Sequence, residues 1–128
     1  MKKFVGLLII VLFFLQLDGS LSIGQTTNGE SKVTFIELGS VNCIPCKKMQ
    51  PVMKAIGEKY GKQVKVVFYD VWKEEEKIYA SKYKIKLIPT QVFLDENGKE
   101  FYRHEGFYPE KEIDKLLIKR GLKIVKGN

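Results

Sequence analysis

The stretch Val33-Thr34-Phe35-Ile36-Glu37-Leu38-Gly39-Ser40-Val41-Asn42-Cys43-Ile44-Pro45-Cys46 decides how this chain reads. Its β-branched and aromatic run predicts a strand over Val33 to Leu38, and Gly39, Ser40 and Asn42 predict a turn in which Ser40 and Asn42 can cap a helix. The two cysteines that follow are the only ones in 128 residues, and a C-x-x-C at a helix start is the setting of a redox-active pair. Unpaired N–H groups and the positive end of the helix dipole favour a thiolate there, which makes Cys43 the candidate nucleophile. Cys46, one turn on, is the candidate resolving thiol: it closes a disulfide on Cys43 and expels whatever Cys43 has captured. Pro45 fits the first turn because its missing N–H costs little there, and with Asn42 and Ile44 it completes the active-site loop.

Two plainer readings stand beside this one. A structural disulfide across so short a loop contributes only about 2 kcal/mol in the chain-entropy account. Structural zinc wants four Cys or His ligands, whereas the chain has two Cys and the single histidine His104; a two-coordinate soft-metal site stays open. Haem attachment through C-x-x-C-H fails because Lys47 stands in the place of the histidine.

Downstream, Met49, Val52, Met53, Ile56 and Tyr60 recur at spacings of three and four, predicting one apolar stripe on a helix from about Cys43 to Tyr60, with Pro51 inside it and Gly61 at its end. Val64 to Tyr69 is apolar enough to predict a central strand buried on both faces. Lys73 to Lys77 reads as a solvated charge run leading into a short helix that buries Ile78, Tyr79 and Tyr83. A strand over Gln91 to Leu94, a turn at Asp95-Glu96-Asn97-Gly98 and a returning strand to His104 come next. Pro109 opens a last helix with Ile113, Leu116, Leu117 and Arg120 on one face, closed by Gly121.

Upstream, Lys2 and Lys3 precede an apolar run from Phe4 to Leu17, and the small residues Gly19, Ser20, Ser22 and Gly24 follow. Residues 1–24 therefore read as a secretory signal, with a short retained membrane anchor over 4–17 as the alternative; the run falls short of the ~20 residues that span a bilayer. Residues 25–31 are polar and read as a flexible lead-in to a single domain over 32–128. Without Lys2, Lys3 and Asp18, the 22 basic and 15 acidic residues become 20 and 14, a net +6. The lysines are dispersed among glutamates, without the aromatic-interleaved clusters of a nucleic-acid site, so no nucleic-acid partner is expected.

These features together resemble the thioredoxin family over Lys32 to Gly121. The resemblance rests on the strand with its C-x-x-C helix, Pro51 eight residues after Cys43, Ile88-Pro89-Thr90, the Asn97-Gly98 hairpin and the terminal helix. It implies an α/β thioredoxin-like fold, a central mixed sheet flanked by helices. It also implies a cis Pro89 facing the cysteines, with Ile88, Pro89 and Thr90 pairing with an extended substrate segment. The family's buried acid falls on Glu37, where burial should raise the pKa of a proton acceptor for Cys46. The chain departs from the family in having Asn42 before Cys43, its only tryptophan at Trp72, and Phe68 in place of the lysine near the buried acid.

The expected function is that of an exported, monomeric thiol-disulfide oxidoreductase without cofactor or metal. It would reduce disulfide-containing protein substrates outside the cytoplasm, periplasmic or secreted, and in an oxidising compartment it needs an electron source such as a membrane thiol carrier. Exported relatives of this kind serve cytochrome c maturation or disulfide repair. An oxidase or isomerase with the same residues, and a thioredoxin-fold copper carrier using the two thiolates, are the alternatives. His104, the histidine a copper site would recruit, is expected at the surface.

Overall fold

The computed structural model describes residues 31–125. The signal or anchor expected over 1–24, and the lead-in up to residue 30, lie outside the described residues. Among the described residues no helix is long and apolar enough to cross a membrane.

The elements run β1 (Val33–Gly39), α1 (Ile44–Tyr60), a 3-10 turn (Gly61–Gln63), β2 (Val64–Asp70), α2 (Ile78–Lys82), β3 (Thr90–Asp95), β4 (Glu100–Glu105) and α3 (Glu110–Lys119). The strands form one mixed sheet in the order β2-β1-β3-β4, with β1 parallel to β2 and the other pairs antiparallel. This is the α/β architecture the sequence predicts. β1 is central, so its C-terminal end delivers Gly39 and the loop to Cys43 at the middle of the sheet.

Side chains alternate across a strand, and period two sorts β1 into two cores. Val33 and Phe35 join Met49, Val52, Met53, Ile56 and Tyr60 of α1 and Ile113 and Leu117 of α3 on one face. Ile36 and Leu38 join Val71, Val92 and the half-buried Tyr69, Tyr79 and Tyr83 on the other. The predicted stripe of α1 is thus its buried face, each large side chain contributing about 1.5–3 kcal/mol by leaving water.

Three details differ from the sequence reading. β2 lies at the edge of the described sheet, not at its centre. Its long apolar run arises because Val66 and Phe68 pack into one core while Val67 and Tyr69 pack into the other, so both faces are apolar although one edge is not covered by a neighbouring described strand. Ile78, expected inside, is 67% exposed; α2 has only five residues and buries its Tyr79 ring against Tyr69, centroids 3.5 Å apart. The charge run does lie in turns at the surface, but Glu76 turns back, its Oε2 accepting the Asp70 N–H at 2.6 Å.

α1 and α3 are joined by a polar clamp. Lys59 Nζ lies 2.6 Å from Asp114 Oδ2 and 2.5 Å from Glu110 Oε1, and the Tyr60 hydroxyl donates to Asp114 Oδ1 at 3.0 Å. Burial, then the Asp114 hydrogen bond, pushes the Tyr60 hydroxyl up to about 12. Asp114→Ala leaves Lys59 and Tyr60 without their shared acceptor and should lower stability by about 1–3 kcal/mol, read as an earlier midpoint in urea unfolding.

Candidate active site

Cys43 and Cys46 are joined by a disulfide at the start of α1. Cys43 is the N-cap in extended conformation, and the Cys46 N–H donates to its Sγ at 3.4 Å. Pro45 sits in the first turn, where no N–H is needed. Cys43 retains 8% exposure and Cys46 none, so Cys43 is the sulfur an outside reactant can meet. Asn42 and Ile44 flank the pair at the surface.

Glu37 is fully buried in β1, and neither carboxyl oxygen has a hydrogen-bond partner among the described residues. Burial pushes its pKa from an ordinary 4.5 up to about 8, while the nearby Gln91 amide pulls it down without forming a bond of good geometry. Glu37 shares its sheet face with Gly39, two residues on, and Gly39 is where α1 comes closest. A methyl group on Gly39 would lie 3.2 Å from both Cβ and Sγ of Cys46 and 3.5 Å from the Phe68 ring. The buried acid therefore sits on the same face as Cys46, one pleat deeper.

The Ile88–Pro89 bond is cis, and Pro89 is buried. Thr90 opens β3 opposite Leu38, which brings Pro89 to the sheet end that carries the cysteines. The loop is braced on both sides: Thr90 Oγ1 donates to the Leu87 carbonyl at 2.7 Å, and the Gly106 N–H donates to the Pro89 carbonyl at 2.7 Å. The residues after β4 are tied in turn to α1 by the Tyr108 N–H, which donates to Met49 Sδ at 3.3 Å.

Two groups escaped the sequence reading. Asp70 is 3% exposed, and its carboxylate accepts the Val41 and Trp72 N–H groups, each at 3.2 Å. Burial pushes its pKa up, but those hydrogen bonds, with Ser40 and the Lys73 charge, outweigh it and hold the carboxyl below its usual range. Asp70 so fixes the loop before Cys43 against the loop after β2. An acid closing an apolar strand was the available signal. Gly39 is the other: it reads as a turn glycine, but what it provides is room for Cys46. Gly39→Ala should cost the oxidised protein about 1–3 kcal/mol in urea unfolding, and less after reduction frees the Cys46 side chain to turn.

Comparison with known proteins agrees with this geometry. A sequence model described as Thioredoxin-like domain matches residues 24–121. Rice chloroplastic thioredoxin Y is 28% identical over 72% of the chain and 53% of its own length; Thioredoxin-1 of Drosophila melanogaster is 34% identical over 53% and 62%. The chain thus spans about half to three fifths of those two curated relatives. Among solved structures, a mutant thioredoxin from Halobacterium salinarum superposes with TM-score 0.61 at 25% identity, covering 75% of this chain and 80% of that one. A thioredoxin from Nicotiana alata gives 0.59 at 30% identity, covering 70% and 73%. With the disulfide at the helix start, the cis proline at the same sheet end and the mixed sheet between its helices, the chain belongs to the thioredoxin-like domain family.

Proposed function

We propose that this protein is an exported thiol-disulfide oxidoreductase that reduces disulfides of extracytoplasmic proteins. The observation that carries the chemistry is the Cys43–Cys46 disulfide at the N-terminus of α1 with the buried Glu37, without a hydrogen-bond partner among the described residues, on the same sheet face. Export is supported by the lysines, apolar run and small residues of 1–24.

In the reduced protein, the Cys43 thiolate attacks one sulfur of a substrate disulfide; the new S–S bond forms as the old one breaks, and one substrate sulfur leaves as thiolate. The carboxylate form of Glu37, the minor form at neutral pH, then takes the Cys46 proton. The Cys46 thiolate attacks Cys43 Sγ, the second substrate sulfur leaves with the bond pair, and two electrons have passed to the substrate. The enzyme ends as the Cys43–Cys46 disulfide and needs a dithiol donor, of the kind a membrane thiol carrier supplies, to return.

A protein substrate fits the surroundings. Val41, Ile44, Trp72, Leu87 and Phe107 are all large, apolar and at least 44% exposed. Val41 and Ile44 border the cysteines, Asp70 ties Trp72 to Val41, Leu87 precedes the cis proline, and Phe107 follows the Gly106 bonded to it. Extended backbone pairing beside Ile88, Pro89 and Thr90 would hold the substrate segment against this rim. For the copper-carrying alternative, only Nε2 of His104 could serve as a ligand, since Nδ1 meets Gln91 and one ring face stacks on Tyr108.

The direction of electron flow is tested by equilibrating the Cys43–Cys46 couple against dithiothreitol and glutathione. A potential near −270 mV is expected; one near about −120 mV overturns reduction in favour of oxidation. Cys46→Ser should trap the mixed disulfide on Cys43, detectable by mass, whereas Cys43→Ser should trap none.

Glu37 gives a pH signature. It is neutral in the folded protein up to about pH 8 but ionises near 4.5 once unfolded. The folded form then holds a proton the unfolded chain has lost, so stability should fall as pH rises from about 4.5 to about 8. Glu37→Gln should flatten that decline in urea midpoints measured at pH 4 and pH 8, and should slow resolution of the mixed disulfide.

A further inference from the structure

Across the sheet, Phe68, Glu37, Gln91 and His104 occupy one transverse row, paired residue to residue through β2, β1, β3 and β4. Directly opposed residues share a face, so the four side chains stand in line. Gln91 is fully buried beside Glu37, and both ends of its amide are engaged: Nε2 donates to the Gly106 carbonyl at 3.1 Å, and Oε1 lies 2.9 Å from His104 Nδ1. A carbonyl only accepts, so the NH2 side must face Gly106 and the oxygen must face His104. His104 Nδ1 must then carry the hydrogen. One hydrogen of Nε2 is still uncommitted, and the polar group next to it in the row is the Glu37 carboxyl, which has no other partner among the described residues.

We propose that Gln91 and His104 are positioning residues for the buried acid, His104 locking the amide so that its free N–H is presented to Glu37 in the carboxylate form. This rests on the reading of Glu37 as the acceptor of the Cys46 proton. An amide donor favours the carboxylate over the acid, and the carboxylate is the form able to take that proton. The other elements packed on Glu37 offer nothing comparable. Phe68 of β2 is apolar, and from α1 it is the Cys46 end of the disulfide that stands over this face at Gly39. No charge among the described residues shifts Glu37; burial and Gln91 are the two influences on it. His104 is itself held in place by stacking on Tyr108, ring centroids 4.1 Å apart and 10° from parallel. Because Gly106 also bonds Pro89, the same amide joins the acid to the loop beside the substrate groove.

The test is the pH profile of mixed-disulfide resolution, followed by stopped flow with the full protein, together with the 13C shift of the Glu37 carboxyl. Gln91→Leu should move the Glu37 midpoint up by about one pH unit, slowing resolution about tenfold near neutral pH. His104→Phe, at a half-buried edge position, should move it in the same direction by less, and His104→Gln, which keeps an N–H donor, should bring it back toward wild type. If Glu37 titrates in the wild type but its midpoint is unchanged in His104→Phe and Gln91→Leu, the positioning role is overturned while the acid's role stands. If Glu37→Gln leaves the pH profile of resolution as it was, the proton-acceptor reading itself falls.

Discussion

Taking a carboxyl group out of water is costly unless something inside replaces the water, and this fold does it in the central strand of its sheet. Glu37 is flanked on both sides by paired strands and is fully buried. The group responds by keeping its proton. Around it stand a glycine two residues on that lets Cys46 approach, an aromatic ring on one side, and on the other an amide held by Gly106 and His104. A hydrophobic residue at position 37 would carry no such cost.

Phe68 stands where the family resemblance implies a lysine, and it makes the surroundings of the acid apolar on that side. A cation beside a buried acid would draw it strongly toward the ionised form, whereas Phe68 leaves the field neutral. The remaining polar neighbour comes from β3, the opposite side of β1, and is held by the edge strand. Support for the acid thus arrives through neutral dipoles, which act over shorter distances and depend more on orientation than a charge does.

Much of this was legible from residues close in sequence. The α1 stripe, the cap at Cys43, the Asn97-Gly98 hairpin and the apolar face of α3 all depend on neighbours within a few positions, and each appears where its spacing places it. The central placement expected for β2 failed because apolar content reports burial of two faces and carries no information about which edges are paired. Asp70 and Gln91 were missed for a related reason. Their roles exist only after strands far apart in sequence are set side by side: Asp70 meets Val41 across 29 residues and Gln91 meets His104 across 13. His104, expected to be a free surface residue, is bound into the sheet by that same pairing.

The Asp70 carboxylate holds two segments that would otherwise be separate loops, one leading to Cys43 and the other carrying Trp72. Ordering a loop costs about 1–2 kcal/mol for each residue whose backbone is fixed, and here that cost is met during folding. A docking partner consequently meets a surface already arranged, with little freedom left to surrender. Affinity at such a surface comes from the apolar contacts themselves, and encounters can be brief.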